Sequence, residues 1–182
     1  YPAIGWGAVA LGFALLPVVV FLYDVGSEWF GHAGIRIKPA ACTIHERYYW
    51  WIERHWKFSE TFLKHAFPGT PFRPMAMRLL GLKVGRKVFD DGCSIPEKQL
   101  VEIGDGATIN AEVIIQGHSL EDGLYKADRI KIGAGATLAP CSFVHYGAEM
   151  EPGSVLDADS FMMKGTRSNA GTRWRGNPAR PA

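Results

Sequence analysis

Residues 132–167 read IGAGAT LAPCSF VHYGAE MEPGSV LDADSF MMKGTR, and the way they divide into sixes decides the fold. Each six opens on a large apolar side chain: Ile132, Leu138, Val144, Met150, Leu156 and Met162. Four positions later comes a small one: Ala136, Ser142, Ala148, Ser154, Ser160 and Thr166. The same register holds earlier at Ile103, Ile109 and Ile115, followed by Ala107, Val113 and Ser119, which makes nine hexads. A helix repeats every roughly 3.6 residues and a half-buried strand every two or so, and neither writes this pattern. A parallel β-helix of hexapeptide repeats does, because each hexad builds one flat side of a triangular coil. The large residue fills the core and the small one fits beneath the turn. The fold class is all-β, with three hexads to a coil.

At the other end, residues 3–23 run 21 positions without a charged side chain. As a helix rising about 1.5 Å per residue this stretch covers roughly 30 Å, the hydrocarbon thickness of a bilayer. Pro17 should kink it, and Gly5, Gly7 and Gly12 leave a face for another helix. A basic leader and a small-residue cleavage site, the marks of a signal peptide, are missing, so residues 1–24 read as a transmembrane helix. Residues 25–83 form an aromatic, basic linker. Trp29, Phe30, Tyr48, Tyr49, Trp50, Trp51, Trp56, Phe58 and Phe62 alternate there with Arg47, Arg54, Lys57 and Lys64. One amphipathic helix is predicted over 43–66, either lying on the membrane with its aromatic rings at the headgroups or capping the open end of the β-helix. Pro68, Pro71 and Pro74 end it, and the β-helix domain takes residues 84–182.

The net charge of +2 hides a split. Residues 24–83 carry nine Lys/Arg against five Asp/Glu, whereas 84–182 carry eleven against thirteen. A near-neutral repeat domain argues against nucleic acid as partner. The basic excess beside the apolar stretch suits an anionic membrane surface and places the downstream residues on the cytoplasmic side. Cys42, Cys93 and Cys141 are too widely spaced for a disulfide framework or a zinc motif and read as reduced thiols. The start at Tyr1 rather than Met reads as a fragment or a processed product.

The hexads slip once within the run. Ile115 to Ile132 is seventeen residues instead of six, so eleven extra residues leave the coil, in an excursion that reads roughly as a loop over 120–131. Loops on a regular scaffold are where function is grafted. The phase stacks the faces opened by Ile103, Ile109 and Ile115 on those opened by Ile132, Leu138 and Val144. His118 and His145 then share one face in successive coils. Imidazole titrates near neutral pH, so it can take a proton from a nucleophile and return it to a leaving group. Two repeat-region histidines are too few for the three-histidine zinc of a β-helical carbonic anhydrase, and no metal is expected.

The closing run Trp174–Arg180, WRGNPAR, resembles the Gly-Asn-Pro-Ala signature that ends hexapeptide-repeat acyltransferases. That resemblance implies a left-handed coil, an exception to the usual crossover hand. It also implies that His118, at the loop-bearing turn, is the general base and that sites lie between packed β-helices. Residues 81–93 (GLKVGRKVFDDGC), 115–123 (IQGHSLEDG), 143–147 (FVHYG) and 160–165 (SFMMKG) resemble, more specifically, the C-terminal part of poly-ε-lysine synthetases. These are membrane-bound, single-module relatives of nonribosomal peptide synthetases, and the resemblance runs from about residue 45 to the end.

The resemblance implies an amide-bond-forming condensation domain at the cell membrane, cytoplasmic, in a multi-pass parent. An aminoacyl thioester on phosphopantetheine would come from a carrier domain and be attacked by a diamino acid or the growing chain. His118 and His145 would be catalytic. Glu121 and Asp122 would hold the acceptor's cationic end, with Ser119, Tyr125 and Asn110 completing the substrate site. Trp174, Arg175 and Asn177 would meet the carrier's pantetheine arm. ATP would be used by an adenylation domain whose motifs, like the carrier serine, are absent from this sequence. Further tandem β-helical domains would complete a pseudo-trimer or homotrimer. Two other readings share the fold: a membrane-anchored, coenzyme-A-dependent acetyltransferase and a non-catalytic assembly domain.

Overall fold

Three parallel sheets form the sides of a β-helix in this computed structural model, which describes residues 2–34, 36–59 and 67–182. The first side stacks Lys83–Val84, Val101–Ile103, Ile130–Ile132 and Glu149–Met150. The second stacks Phe89–Asp90, Thr108–Ile109, Thr137–Leu138, Val155–Leu156 and Arg173–Arg175. The third stacks Ile114–Gln116, Phe143–His145 and Phe161–Met162. Ile103 lies over Ile132 and Met150, Ile109 over Leu138 and Leu156, and Ile115 over Val144 and Met162. This is the expected phase. The side chains that open the hexads point inward and are buried, as are the small residues from Ala107 to Ser160. The corners are as tight as the hexad implies. A Cβ on Gly133 would lie 2.6 Å from the backbone nitrogen of Pro152 in the next coil, so no other residue fits there.

The first coil hides its period because a charge occupies a core position. Asp90 pairs in register with Ile109, where an aliphatic residue is due. Its carboxylate accepts from the backbone N–H groups of Gly92 and Cys93, both at 2.9 Å, and from Arg73 Nε at 3.2 Å. Arg73 is wholly buried and also donates to the Cys93 carbonyl at 2.9 Å. It belongs to a short helix, Phe72–Leu79, that covers the open end of the coil with Ala76, Met77 and the following Leu80.

Among the described residues, three α-helices lie outside the coil. Helix α1 (Pro2–Gly34) is continuous and runs ten residues past the predicted end at 24. Phe21 and Val25 pack on the coil's core, and Asp24 and Glu28 are buried. Towards its start, Trp6, Phe13 and Leu16 are exposed, and its section Gly5–Gly31 is long and apolar enough to cross a membrane. Helix α2 (Arg47–Ser59) starts later than the predicted 43–66, because Ala40–Thr43 is a strand. Residues 60–66, and the side chains of Trp56, Lys57 and Phe58, lie outside the described residues. The buried side of α2, Ile52 with Tyr48 and Tyr49, packs on Leu100, Tyr125 and Cys42 rather than over the coil end. The capping role falls instead to α3, the Phe72–Leu79 helix, and to α1. An amphipathic pattern shows that a helix buries one side; it does not say against what.

Candidate active site

The eleven-residue excursion is not an open loop but a β-hairpin. His118–Glu121 pairs antiparallel with Leu124–Ala127, and Asp122-Gly123 makes the turn. Both turn residues have positive φ, 54° and 72°, which two-residue hairpins favour and an Asp-Gly pair supplies. The Asp128 N–H donates to the Gly117 carbonyl at 3.0 Å and closes the neck. Ala40–Thr43 adds a third strand on the far side, so the segment before α2 locks the hairpin against the coil. The chain re-enters the coil at Ile130 rather than Ile132.

The coil slips a second time at the same corner, one turn earlier. Ile95 to Ile103 is eight residues, and the surplus carries Glu97, which is fully buried. Glu97 Oε1 lies 2.6 Å from Nδ1 of His118, a close polar contact rather than an ideally aligned hydrogen bond. Glu97 Oε2 accepts from the Gly117 N–H at 2.7 Å. A carboxylate only accepts, so in the neutral imidazole this contact favours the tautomer with its proton on Nδ1 and its lone pair on Nε2, the form a base requires. The His118 ring stacks on Tyr125 with centroids 5.7 Å apart, and only 8% of the residue is exposed.

The second histidine meets the first through its backbone. Nε2 of His145 lies 3.0 Å from the carbonyl oxygen of His118, so Nε2 is the protonated nitrogen and Nδ1 the open one. Burial pushes the His145 pKa below its ordinary value and keeps the ring neutral near pH 7. Around it stand Phe143, Tyr146 and Phe161, with ring centroids 4.8–5.7 Å away. Outward from the third side, Ile114, Phe143 and Phe161 stack in register as an apolar ladder beside the histidines.

The other expected residues divide. Glu121 reaches across the turns of the coil and pairs with Lys164 at 2.5 Å and Lys126 at 3.3 Å. Chiefly through the Lys164 contact, its pKa falls to about 2. Its charge is therefore matched by two lysines within the chain. Asp122 is an exposed turn residue. Tyr125 is wholly buried and backs the His118 ring instead of facing substrate; burial raises its pKa and keeps the phenol protonated. Ser119 is buried at the hairpin root. Asn110 sits on the second side and donates to the Leu138 carbonyl at 2.8 Å, apart from the histidines. Trp174 and Arg175 belong to a closing hairpin, Arg173–Arg175 with Arg180–Pro181. Asn177 lies in its turn, and the Ala179 N–H donates to the carbonyl of Phe161, whose ring touches His145. The tail is thus one residue removed from the site. Glu97 was the residue missed. The eight-residue step at the corner that later throws out the hairpin was its signal in the sequence.

No family model matches the sequence. The chain is 34% identical to Delta-poly-L-ornithine synthetase of Acinetobacter baumannii (strain AB307-0294) over 113 residues, which is 62% of this chain and 8% of the relative. Among solved structures, a maltose O-acetyltransferase from Clostridium difficile 630 superposes with a TM-score of 0.59 at 17% identity, over 79% of this chain and 91% of that one. AntD, an N-acyltransferase from Bacillus cereus in complex with dTDP and 3-hydroxybutyryl-CoA, gives 0.47 at 14% identity, over 57% and 72%. The first of these structures shares the β-helical fold.

Proposed function

We propose that this chain is the amide-forming domain of a membrane-bound synthetase of poly-amino acids. It transfers an aminoacyl group from a carrier-bound phosphopantetheine thioester to the amine of a diamino acid or of the growing chain. The observation that carries this reading is the His118–Glu97 pair at the hairpin root, 2.6 Å apart and nearly closed to water. The likeness to a segment of the poly-ornithine synthetase supports the substrate class.

The chemistry follows from the tautomer. The acceptor amine attacks the thioester carbonyl, so a C–N bond forms and the C–S bond breaks. His118 Nε2 takes the proton that the nitrogen must shed and delivers it to the departing thiolate, which leaves as a thiol. Glu97 holds Nδ1–H throughout and offsets the positive charge on the transient imidazolium. A free amine has a pKa of roughly 10, so the poorly hydrated surround of His118 must also hold the acceptor neutral. His145 completes the site as a neutral ring whose Nδ1 can accept. Glu121 takes the acceptor's second ammonium in exchange for that of Lys164. Trp174, Arg175 and Asn177 meet the pantetheine arm from the tail side. In this reading the coil is left-handed and packs with two further β-helices, and the domain faces the cytoplasm. ATP is consumed earlier, by an adenylation domain.

The test is His118→Ala in the full-length protein, given ATP and a panel of diamino acids, with carrier loading and product followed together by mass spectrometry. Loading without product is the expected result. Product at the normal rate makes this β-helix an assembly piece, and brisk acetyl transfer from coenzyme A by the wild-type protein favours the acetyltransferase reading.

A further inference from the structure

Helix α3 carries apolar side chains on two sides, and its exposed cation, Arg78, turns along the flank to the carbonyls of Val84 and Gly85. Ala76 and Met77 point into the coil end, and the helix's buried guanidinium, Arg73, points inward as well. The outward side carries Phe72, Met75 and Leu79, at helical positions i, i+3 and i+7, exposed by 60, 56 and 46%. Phe67 continues this stripe, its ring 6.0 Å from that of Phe72. A continuous apolar stripe on the outward side of a helix is normally covered, either by protein or by lipid.

The surroundings choose between the two. Phe67, Phe72, Met75, Ala76 and Leu79 form one wall of a groove of about 360 Å³, and Pro17, Val18 and Phe21 of α1 form the other. Every lining residue is apolar, so nothing in the groove can orient a polar partner. The three α1 residues lie inside the section Gly5–Gly31 that can cross a bilayer, before its first charge at Asp24. At that depth the medium around α1 is hydrocarbon. Trp29 donates from Nε1 to the Leu79 carbonyl at 2.7 Å, and with Phe30 it is exposed at the end of α3. Such rings prefer the headgroup level, so they mark where α1 leaves the apolar layer.

We infer that α3 lies embedded in the membrane beside α1, and that the groove between them takes the acyl chain of a bilayer lipid. The coil's capped end therefore rests on the membrane, with α3 in contact with lipid. This inference rests on α1 crossing the bilayer.

The experiment is nitroxide accessibility in the full-length protein reconstituted in vesicles of phosphatidylcholine and phosphatidylglycerol. Single labels are placed by Met75→Cys, Val9→Cys and Lys131→Cys in a Cys141→Ser background. The Met75 label should relax with oxygen and resist a water-soluble nickel chelate, as the Val9 label does, with Lys131 showing the reverse. If Val9 is lipid-exposed but Met75 meets the chelate, α3 is in water and the inference fails while the anchor stands. If neither reagent reaches Met75, a protein segment fills the groove and the inference also fails. A Val9 label that meets the chelate overturns the anchor and the inference together.

Discussion

The two ends of the β-helix are closed by opposite means. At the end capped by α1 and α3, helices cover the coil and the charges that fasten them are buried: Arg73 with Asp90, and Lys98 with Glu28 at 3.9 Å. At the far end, a two-residue pairing of Arg173–Arg175 with Arg180–Pro181 continues the backbone ladder. There the ion pairs, Arg167 with Glu149 and Glu151 and Arg173 with Asp157, stand in water. A charge held out of water is intolerant of losing its partner, whereas an exposed one is rehydrated. The first end should therefore be rigid and specific, and the second replaceable. Glu97 belongs to the rigid end, one residue before Lys98, so the proposed base is braced from the side where α1 docks.

Asp90→Ala tests the contrast most severely. It removes the carboxylate opposite a fully buried guanidinium and two backbone N–H bonds, and should cost about 3–5 kcal/mol in denaturant unfolding. Glu97→Gln should spare the fold better but reduce product formation on the order of a hundred- to a thousandfold, because a carboxamide cannot stabilise the imidazolium and can turn its amide to reverse the His118 tautomer. Single-turnover transfer from a preloaded carrier isolates this effect. Lys98→Gln should lower the same rate by about tenfold, since it frees the Glu97 segment from α1. Carrier loading should be untouched in both variants.

The same two ends explain what could be read in the sequence. From Ile103 onward each coil repeats the last, so Ile132 to Met162 recorded both the fold and the phase that brings His145 beneath the hairpin. The helix-capped end is far less plain in the local sequence. Asp90 breaks the hexad because its partner, Arg73, is on a helix outside the coil. Glu97 meets His118 only because two excursions leave one corner in successive coils. The pairing of Ala40–Thr43 with Leu124–Ala127 joins segments with no common period. Glu121 looked open because Lys164 lies 43 positions away, brought near only when the hairpin folds along the coil.

The smallest effects should come from the exposed pairs, with Lys164 at the boundary. Lys164→Met leaves Glu121 with Lys126 and opens its other oxygen to the acceptor, so the KM for a diamino acid should fall severalfold while kcat holds. The pH dependence has a definite sign. The folded Glu121 carboxyl is depressed to about 2, so its contact with Lys164 is complete above the ordinary carboxylate value and is lost only as pH falls through about 2. Across pH 5 to 8 or so it should not vary. His145 behaves differently. Its folded pKa lies below 6.5, so the neutral ring contributes stability above that value, and stability should decline as pH falls beneath it. A midpoint of unfolding followed from roughly pH 7 to 5 should drop in the wild type and flatten in His145→Asn. Arg173→Ala, at the far end, should leave both that profile and the rate unchanged. If Arg173→Ala instead destabilises the coil as much as Asp90→Ala, the two ends are fastened alike, and the contrast drawn from burial is wrong.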